Sequence, residues 1–110
     1  MKYMMFVATD PEPGDREGAI DIEDWISEVC GPKRLTGDRL RPTSDATTIR
    51  VRSGETLVTD GPFTESKEWI VGFDILECDD LDEAIEIASK HPVAHSGRIE
   101  LRPFWPGDED

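Results

Sequence analysis

The sequence predicts an α+β fold in which a strand–helix–strand unit, a hairpin and a second strand–helix–strand unit follow one another. Two observations predict it: short segments with a two-residue hydrophobic period, and two helical-period segments placed between them. This order matches the ferredoxin-like βαβ-βαβ plan with an inserted hairpin. A chain of 110 residues is long enough for one hydrophobic core and too short for two. We therefore expect a single domain over residues 1–106 and a frayed acidic tail over 107–110.

The first half of the chain predicts a strand, an exposed loop, a helix and an irregular strand. Residues 3–8 are apolar on both faces of a two-residue period, which suits a central strand. Residues 9–19 contain two prolines, two glycines and five charges, which is typical of an exposed loop. Asp21 can cap a helix that Gly31 and Pro32 end, and residues 33–41 follow as a strand. The apolar stripe of this helix is Ile22, Trp25, Ile26, Val29 and Cys30, with Trp25 as a core anchor.

The middle of the chain predicts a hairpin and then the most apolar strand. Ser53-Gly54 is a two-residue turn signal between residues 47–52 and 55–59. Residues 70–78 form the strand, and the alternation places Val71, Phe73 and Ile75 together on one face. Asp74 is then expected on the opposite face, towards solvent or a partner subunit.

The last third predicts a helix and a final strand. Asp80 and Glu83 have the spacing of a capping box, and we expect His91-Pro92 to end the helix. Ile99 and Leu101 alternate with charged residues in the final strand. The predicted buried stripe of the helix is Leu81, Ala84, Ile85 and Ala88.

The composition and the motifs that are absent limit the functions that we expect of this chain. The formal net charge of −13 argues against binding to nucleic acid or to anionic membranes, which call for basic surfaces. Cys30 and Cys78 lack the spacing of a metal site, and we expect two buried, reduced thiols. The sequence has no phosphate-binding or dinucleotide-binding glycine pattern, so we expect neither a cofactor nor a metal. With no recognisable signal peptide or apolar span, a cytoplasmic location is expected.

The segment Asp60-Gly61-Pro62-Phe63, continued by Glu65, Lys67-Glu68 and Gly72, resembles the signature of the YCII-related, or DGPF-domain, family of small bacterial proteins. Residues 1–4, 41–42, 46–52 and 99–103 resemble the same family. The resemblance implies a ferredoxin-like fold that dimerises into an α/β barrel, and hence a homodimer. It does not imply one reaction. Members are often encoded beside extracytoplasmic-function sigma factors, which implies a possible accessory or regulatory role.

Asp60 and His91 are the candidate catalytic residues. In relatives of this type a His–Asp pair has been proposed as catalytic, and the aspartate corresponds to Asp60. The histidine of that pair would come from the first helix, where this sequence has none. His91 could replace it from the end of the second helix, where the helix dipole favours the protonated imidazole. The alternative is that His91 only caps that helix.

The sequence thus predicts a homodimer that binds a small molecule in a cleft beside the DGPF loop. The alternatives are a cofactor-free lyase or isomerase with Asp60 as acid/base, and an accessory protein. A desolvated Asp60 facing a closed pocket would favour the enzyme, whereas an Asp60 that merely caps a turn would not. The candidate substrate-binding residues are Arg39, Arg41, Lys67, Glu68 and Trp69.

Overall fold

The computed structural model describes residues 1–61 and 69–107, and these form an α+β fold with two antiparallel sheets. The larger sheet has four strands in the order β2-β5-β1-β6, and β3 and β4 form a separate hairpin. The predicted α+β class is therefore confirmed. The strands are β1 Lys2–Ala8, β2 Arg34–Arg39, β3 Thr47–Arg52, β4 Glu55–Asp60, β5 Ile70–Glu77 and β6 Arg98–Pro103.

The helical segments connect the strands of the larger sheet. The first begins as α1 and continues as a π-helix and a 3₁₀ turn, and a second 3₁₀ turn precedes the hairpin. An additional short helix, α3, was not predicted. Within the described residues, no helix is long and apolar enough to cross a membrane. The segments are α1 Ile22–Asp24, the π-helix Trp25–Cys30, the 3₁₀ turns Gly31–Lys33 and Thr43–Asp45, α2 Leu81–Ser89 and α3 Pro92–Ser96.

The hydrophobic core lies between the helices and one face of the four-stranded sheet. Trp25 is fully buried, and its Nε1–H donates to the carbonyl oxygen of Ile87 at 2.8 Å, so the predicted anchor is confirmed. Cys30 and Cys78 are buried and free, also as predicted. Burial raises the pKa of Cys30 to about 12 and also raises that of Cys78. The core residues are Tyr3, Met5, Val7, Trp25, Cys30, Leu76, Cys78, Ala84, Ile87 and Ala88.

The first helix differs from the expected α-helix. Its main part is a π-helix, in which the N–H of Gly31 bonds the carbonyl of Ile26, five residues earlier. The wider turn aligns residues five apart, so Trp25 and Cys30 are buried together. Ile22, predicted in the buried stripe, is 44% exposed.

The burial pattern of β5 contradicts the prediction that Asp74 faces solvent or a partner subunit. The buried residues of this strand are Gly72, Asp74 and Leu76, whereas Phe73 and Ile75 are half-buried. Asp74 is only 5% exposed, so it does not face solvent as expected. Val71, Phe73 and Ile75 share one face as predicted, but the face of Asp74 is the one turned to the core.

The capping of α2 is confirmed and its buried stripe is partly corrected. The Asp80 carboxylate accepts a hydrogen bond from the backbone N–H of Glu83 at 2.9 Å. Ala84 and Ala88 are buried as expected, but Leu81 and Ile85 are half exposed. The helix is rotated so that Ile87 enters the core with the two alanines.

The β3–β4 hairpin has the predicted two-residue turn. Ser53 and Gly54 both have positive φ, 53° and 76°, as a type I′ turn requires. Ile49 lies opposite Val58, and these side chains are 65% and 61% exposed. The hairpin thus carries apolar side chains on its surface.

Candidate active site

A cleft of about 880 Å³ lies between the first helix and the adjoining part of the sheet formed by β2 and β5. Two glycines help to make it, because Gly37 and Gly72 place no side chain on the sheet surface. It is lined by Val7, Arg16, Ile22, Glu23, Ile26, Arg34, Gly37, Asp38, Arg39, Leu40, Arg41, Val71, Gly72, Phe73, Asp74, His91, Pro92 and Val93.

An arginine–aspartate pair forms part of the cleft wall. Arg34 Nε lies 2.6 Å from Asp74 Oδ1, and both side chains are largely buried. Burial raises the pKa of Asp74, and the hydrogen bond and charge of Arg34 oppose that shift. A Cβ atom at position 37 would collide with Asp74 Oδ1 and with the carbonyl oxygen of Phe73. Gly37 is therefore the residue that lets β2 pass over the buried carboxylate.

His91 lies on the same cleft, in a role that differs from the prediction. It does not cap the C-terminus of α2; its Nδ1 accepts a hydrogen bond from the N–H of Val93 at 3.0 Å, at the N-terminus of α3. Burial and the nearby charge of Arg16 lower the pKa of His91 to about 4. The expectation of a dipole-stabilised imidazolium is therefore wrong, because burial and the charge of Arg16 both disfavour the protonated ring.

The tautomer of His91 follows from these contacts. An imidazole whose Nδ1 accepts a hydrogen bond carries its proton on Nε2 when neutral. The ring also packs edge-on against Trp25, with centroids 4.6 Å apart, which restrains its plane. In the described part of the chain, no buried side-chain N or O atom lacks a hydrogen-bond partner. Nε2 makes no hydrogen bond to a described residue, so it is not one of the fully buried polar atoms, and His91 lines the cleft.

The cleft lining contains four arginines beside three carboxylates. Arg39 and Arg41, both predicted to bind substrate, line it together with Arg16 and Arg34. Arg41 is mostly exposed and pairs with Asp45 at 3.0 Å. Arg16 Nε donates to the hydroxyl of Ser96 at 3.0 Å, which ties the loop after β1 to α3.

The other predicted site residues do not line this cleft. Asp60 is exposed at the end of β4, opposite Thr47, and no described residue bonds its carboxylate. Trp69 is half-buried and exchanges backbone contacts with Thr9: the Thr9 N–H donates to the Trp69 carbonyl, and the Trp69 N–H donates to the Thr9 hydroxyl, both at 2.9 Å. Lys67 and Glu68 lie outside the described residues, as does most of the predicted tail.

Sequence reasoning missed Arg16, Arg34 and Asp74 as parts of one site. A signal was present, because Asp74 interrupts an otherwise apolar strand and a buried carboxylate requires a partner. Nothing in the sequence indicated which of the arginines supplies it. Among residues 1–61 and 69–107, no three His, Cys, Asp or Glu side chains are grouped to hold a metal ion.

Comparison with known proteins identifies the family. The model of the YCII-related domain matches residues 1–107. An uncharacterised protein of Rhizobium meliloti (strain 1021) is 44% identical over 75 residues, which cover 64% of this chain and 60% of that relative. The match therefore spans about three fifths of the relative's own length. A family match over nearly the whole chain shows that the protein belongs to the YCII-related domain family.

Proposed function

We propose that the protein binds a small molecule in the cleft between the first helix and strands β2 and β5. The carrying observation is His91, which is 5% exposed, lines a cleft of about 880 Å³ and has an Nε2–H that bonds no described residue. Ligand sites are typically concave, with a small number of fixed polar groups, and this volume is within their usual range. The half-buried apolar residues Ile26 and Val93 supply non-polar wall beside these groups.

We further propose that two copies form a homodimer of ferredoxin-like subunits through the sheet face opposite the core. The antiparallel order β2-β5-β1-β6 supports the fold assignment. On the opposite face, paired strand positions bring together Met4 and Ile75, and Phe6 and Phe73. These large apolar side chains are only half-buried, so a second copy covering them would remove apolar surface from water.

A cofactor-free lyase or isomerase is the second candidate, favoured by the state of His91. A neutral imidazole with a fixed Nε2–H can donate a hydrogen bond to an oxygen that gains negative charge during proton removal from an adjacent carbon. His91 would then make the catalytic contact. Asp60 does not line the cleft, so it could act as the base only in a different arrangement of the chain. Turnover of a bound compound, and its loss in His91→Gln, would support this reading.

A thermal-shift screen tests the binding proposal. The screen compares the wild type with Ile22→Trp, which places an indole in the cleft at an already exposed position. A ligand present at one hundred times its Kd should stabilise the wild type by about 2.7 kcal/mol, a Tm increase of several degrees. The filled cleft of Ile22→Trp should abolish that increase.

Two control variants locate the site. Ile20→Trp makes the same change at an exposed isoleucine outside the cleft lining, so it should keep the full shift. Asp60→Asn should also keep it. Compounds that stabilise Ile22→Trp as well as the wild type, but fail on Asp60→Asn, would place the site at the DGPF loop instead. If no compound binds the wild type, the proposal fails and an accessory protein becomes the better explanation.

A further inference from the structure

The charge of the cleft differs from that of the chain that forms it. The chain has a formal net charge of −13, yet the cleft lining contains four arginines and only three carboxylates. Of these carboxylates, Asp74 is engaged by Arg34, Asp38 accepts a hydrogen bond from the backbone N–H of Arg39 at 2.8 Å, and Glu23 lies on α1. Arg41 is already paired with Asp45, so Arg39 and Arg34 are the arginines considered for a ligand. Clustered arginines at one concave site focus positive potential there and attract anions.

Arg39 has the donors that an anionic group needs. It lies at the end of β2 opposite Gly72, so no side chain occupies the neighbouring position on the paired strand. No described residue forms a hydrogen bond or ion pair with its guanidinium. The planar fork of arginine matches a carboxylate with two parallel hydrogen bonds.

Arg34 adds a second, oriented guanidinium. Asp74 engages its Nε, which fixes the side chain while the two terminal nitrogens make no hydrogen bond to the described residues. Because the pair is largely buried, the orientation is held by packing as well as by charge. The anion-binding part of the cleft is therefore formed before a ligand arrives.

His91 supplies a donor of a different kind. The imidazole stays neutral at physiological pH because burial and Arg16 disfavour its protonation. A neutral N–H suits an uncharged acceptor such as a carbonyl or hydroxyl oxygen, whereas a second anionic group would favour a charged donor. The cleft thus offers cationic donors and one neutral donor to the same ligand.

We propose that the cleft selects a small carboxylate, with the carboxylate group bound by Arg39 and Arg34 and an uncharged oxygen of the same molecule bound by His91 Nε2–H. This proposal rests on the proposed function and specifies its ligand class. It predicts that a compound with a carbonyl or hydroxyl oxygen in addition to its carboxylate binds better than the carboxylate alone.

Matched acid and amide probes test the ligand class on the intact protein. The probes are 4-hydroxybenzoate, phenylpyruvate and phenylacetate, each beside its primary amide, titrated at millimolar concentration and followed through the imidazole NMR signals of His91. We expect the acids to shift these signals and the amides not to. Phenylacetate, which lacks the second oxygen, should bind more weakly than phenylpyruvate.

Arginine variants assign the contact. Arg39→Gln should weaken binding of the acids about tenfold, as expected for loss of a charge-assisted hydrogen bond. Arg52→Gln removes the same charge from the hairpin, outside the cleft, and should leave binding unchanged.

Equal binding of acids and amides would overturn the carboxylate proposal while leaving a small-molecule cleft intact. If the acids leave the His91 NMR signals unchanged, but a compound from the thermal-shift screen stabilises the wild type and not Ile22→Trp, only the ligand class is wrong. If no compound distinguishes the wild type from Ile22→Trp, both the binding proposal and the ligand class fail.

Discussion

His91 shows how burial determines the chemistry of one side chain. The same imidazole at an exposed helix end would titrate near neutral pH, but here desolvation and Arg16 keep it neutral. The hydrogen bond from the Val93 N–H to Nδ1 then fixes which nitrogen carries the proton, and the edge contact with Trp25 restrains the ring. The position of His91 after α2 predicted a cation, whereas in the folded chain this histidine is an uncharged hydrogen-bond donor.

This environment makes stability depend on pH in a defined window. An unfolded histidine titrates near pH 6.5, whereas the pKa of His91 in the folded chain is about 4. The unfolded chain therefore binds a proton that the folded chain excludes, so the contribution is complete above pH 6.5 and is lost as the pH falls towards 4. We expect acidification across this window to remove about 3 kcal/mol of unfolding free energy through this group. Urea unfolding at a series of pH values measures it.

The matched variants are His91→Gln and His95→Gln. The first should flatten the pH dependence between 6.5 and 4, while the second changes an exposed histidine and should leave the slope as in the wild type. The lowered pKa values of Asp10 and Glu83 also favour a loss of stability in acid, but both variants retain these groups. An NMR pKa for His91 near 6.5 would contradict the explanation.

At the scale of elements, β2 and β5 are fitted to each other by a glycine and an ion pair. Gly37 lies opposite Asp74 in the register, and Arg34 reaches the same carboxylate from the beginning of β2. The register shifts between Arg34 and Thr36, an irregularity that re-aims side chains along a strand. The cleft wall therefore depends on one strand lacking a side chain where the other has a buried charge.

Gly37→Ala should disrupt this fit. The added methyl group would collide with Asp74 Oδ1 and the Phe73 carbonyl, and overpacking of this kind costs about 2 kcal/mol. Chemical denaturation of Gly37→Ala beside Thr36→Ala measures the loss, because Thr36 is an exposed neighbour on the same strand. Equal stability of the two variants would show that the strand shifts without cost and that the pair does not require the glycine.

Local patterns predicted most elements of the fold, and long-range contacts explain what they missed. The hairpin turn, the α2 cap and the strands could be predicted because turn chemistry, capping and alternation involve neighbouring residues. The Arg34–Asp74 pair joins residues forty apart in sequence, so the choice of arginine depends on strand pairing. The π-helix also escaped prediction, because its period is set by how Trp25 and Cys30 pack in the core.

The whole molecule is broad and thin. Its extents are 48 × 42 × 20 Å, and its radius of gyration is 16.1 Å, compared with about 13 Å for a compact domain of this length. The hairpin, a separate sheet with exposed apolar residues, contributes to this shape. A flat subunit with apolar side chains on the second sheet face gains stability if another copy covers that face.

Ile75→Lys tests the proposed dimer. The substitution places a charge at the centre of the sheet face opposite the core, where it would be desolvated in an interface. Light scattering should report a dimer for the wild type and a monomer for this variant. Ser53→Lys, at the hairpin turn, is the control and should remain dimeric. A wild type that stays monomeric at micromolar concentration would refute the proposed assembly, and circular dichroism would verify that the variants fold.

The two core thiols have a practical consequence for spectroscopy. Only the thiolate attacks a maleimide or a methanethiosulfonate, and burial together with raised pKa values keeps Cys30 and Cys78 as inaccessible thiols. A single cysteine introduced on the surface can therefore carry a spin label or fluorophore while both native cysteines remain in place. Labels at the hairpin turn would test the proposed dimer by reporting a distance between two copies, without any change to the core.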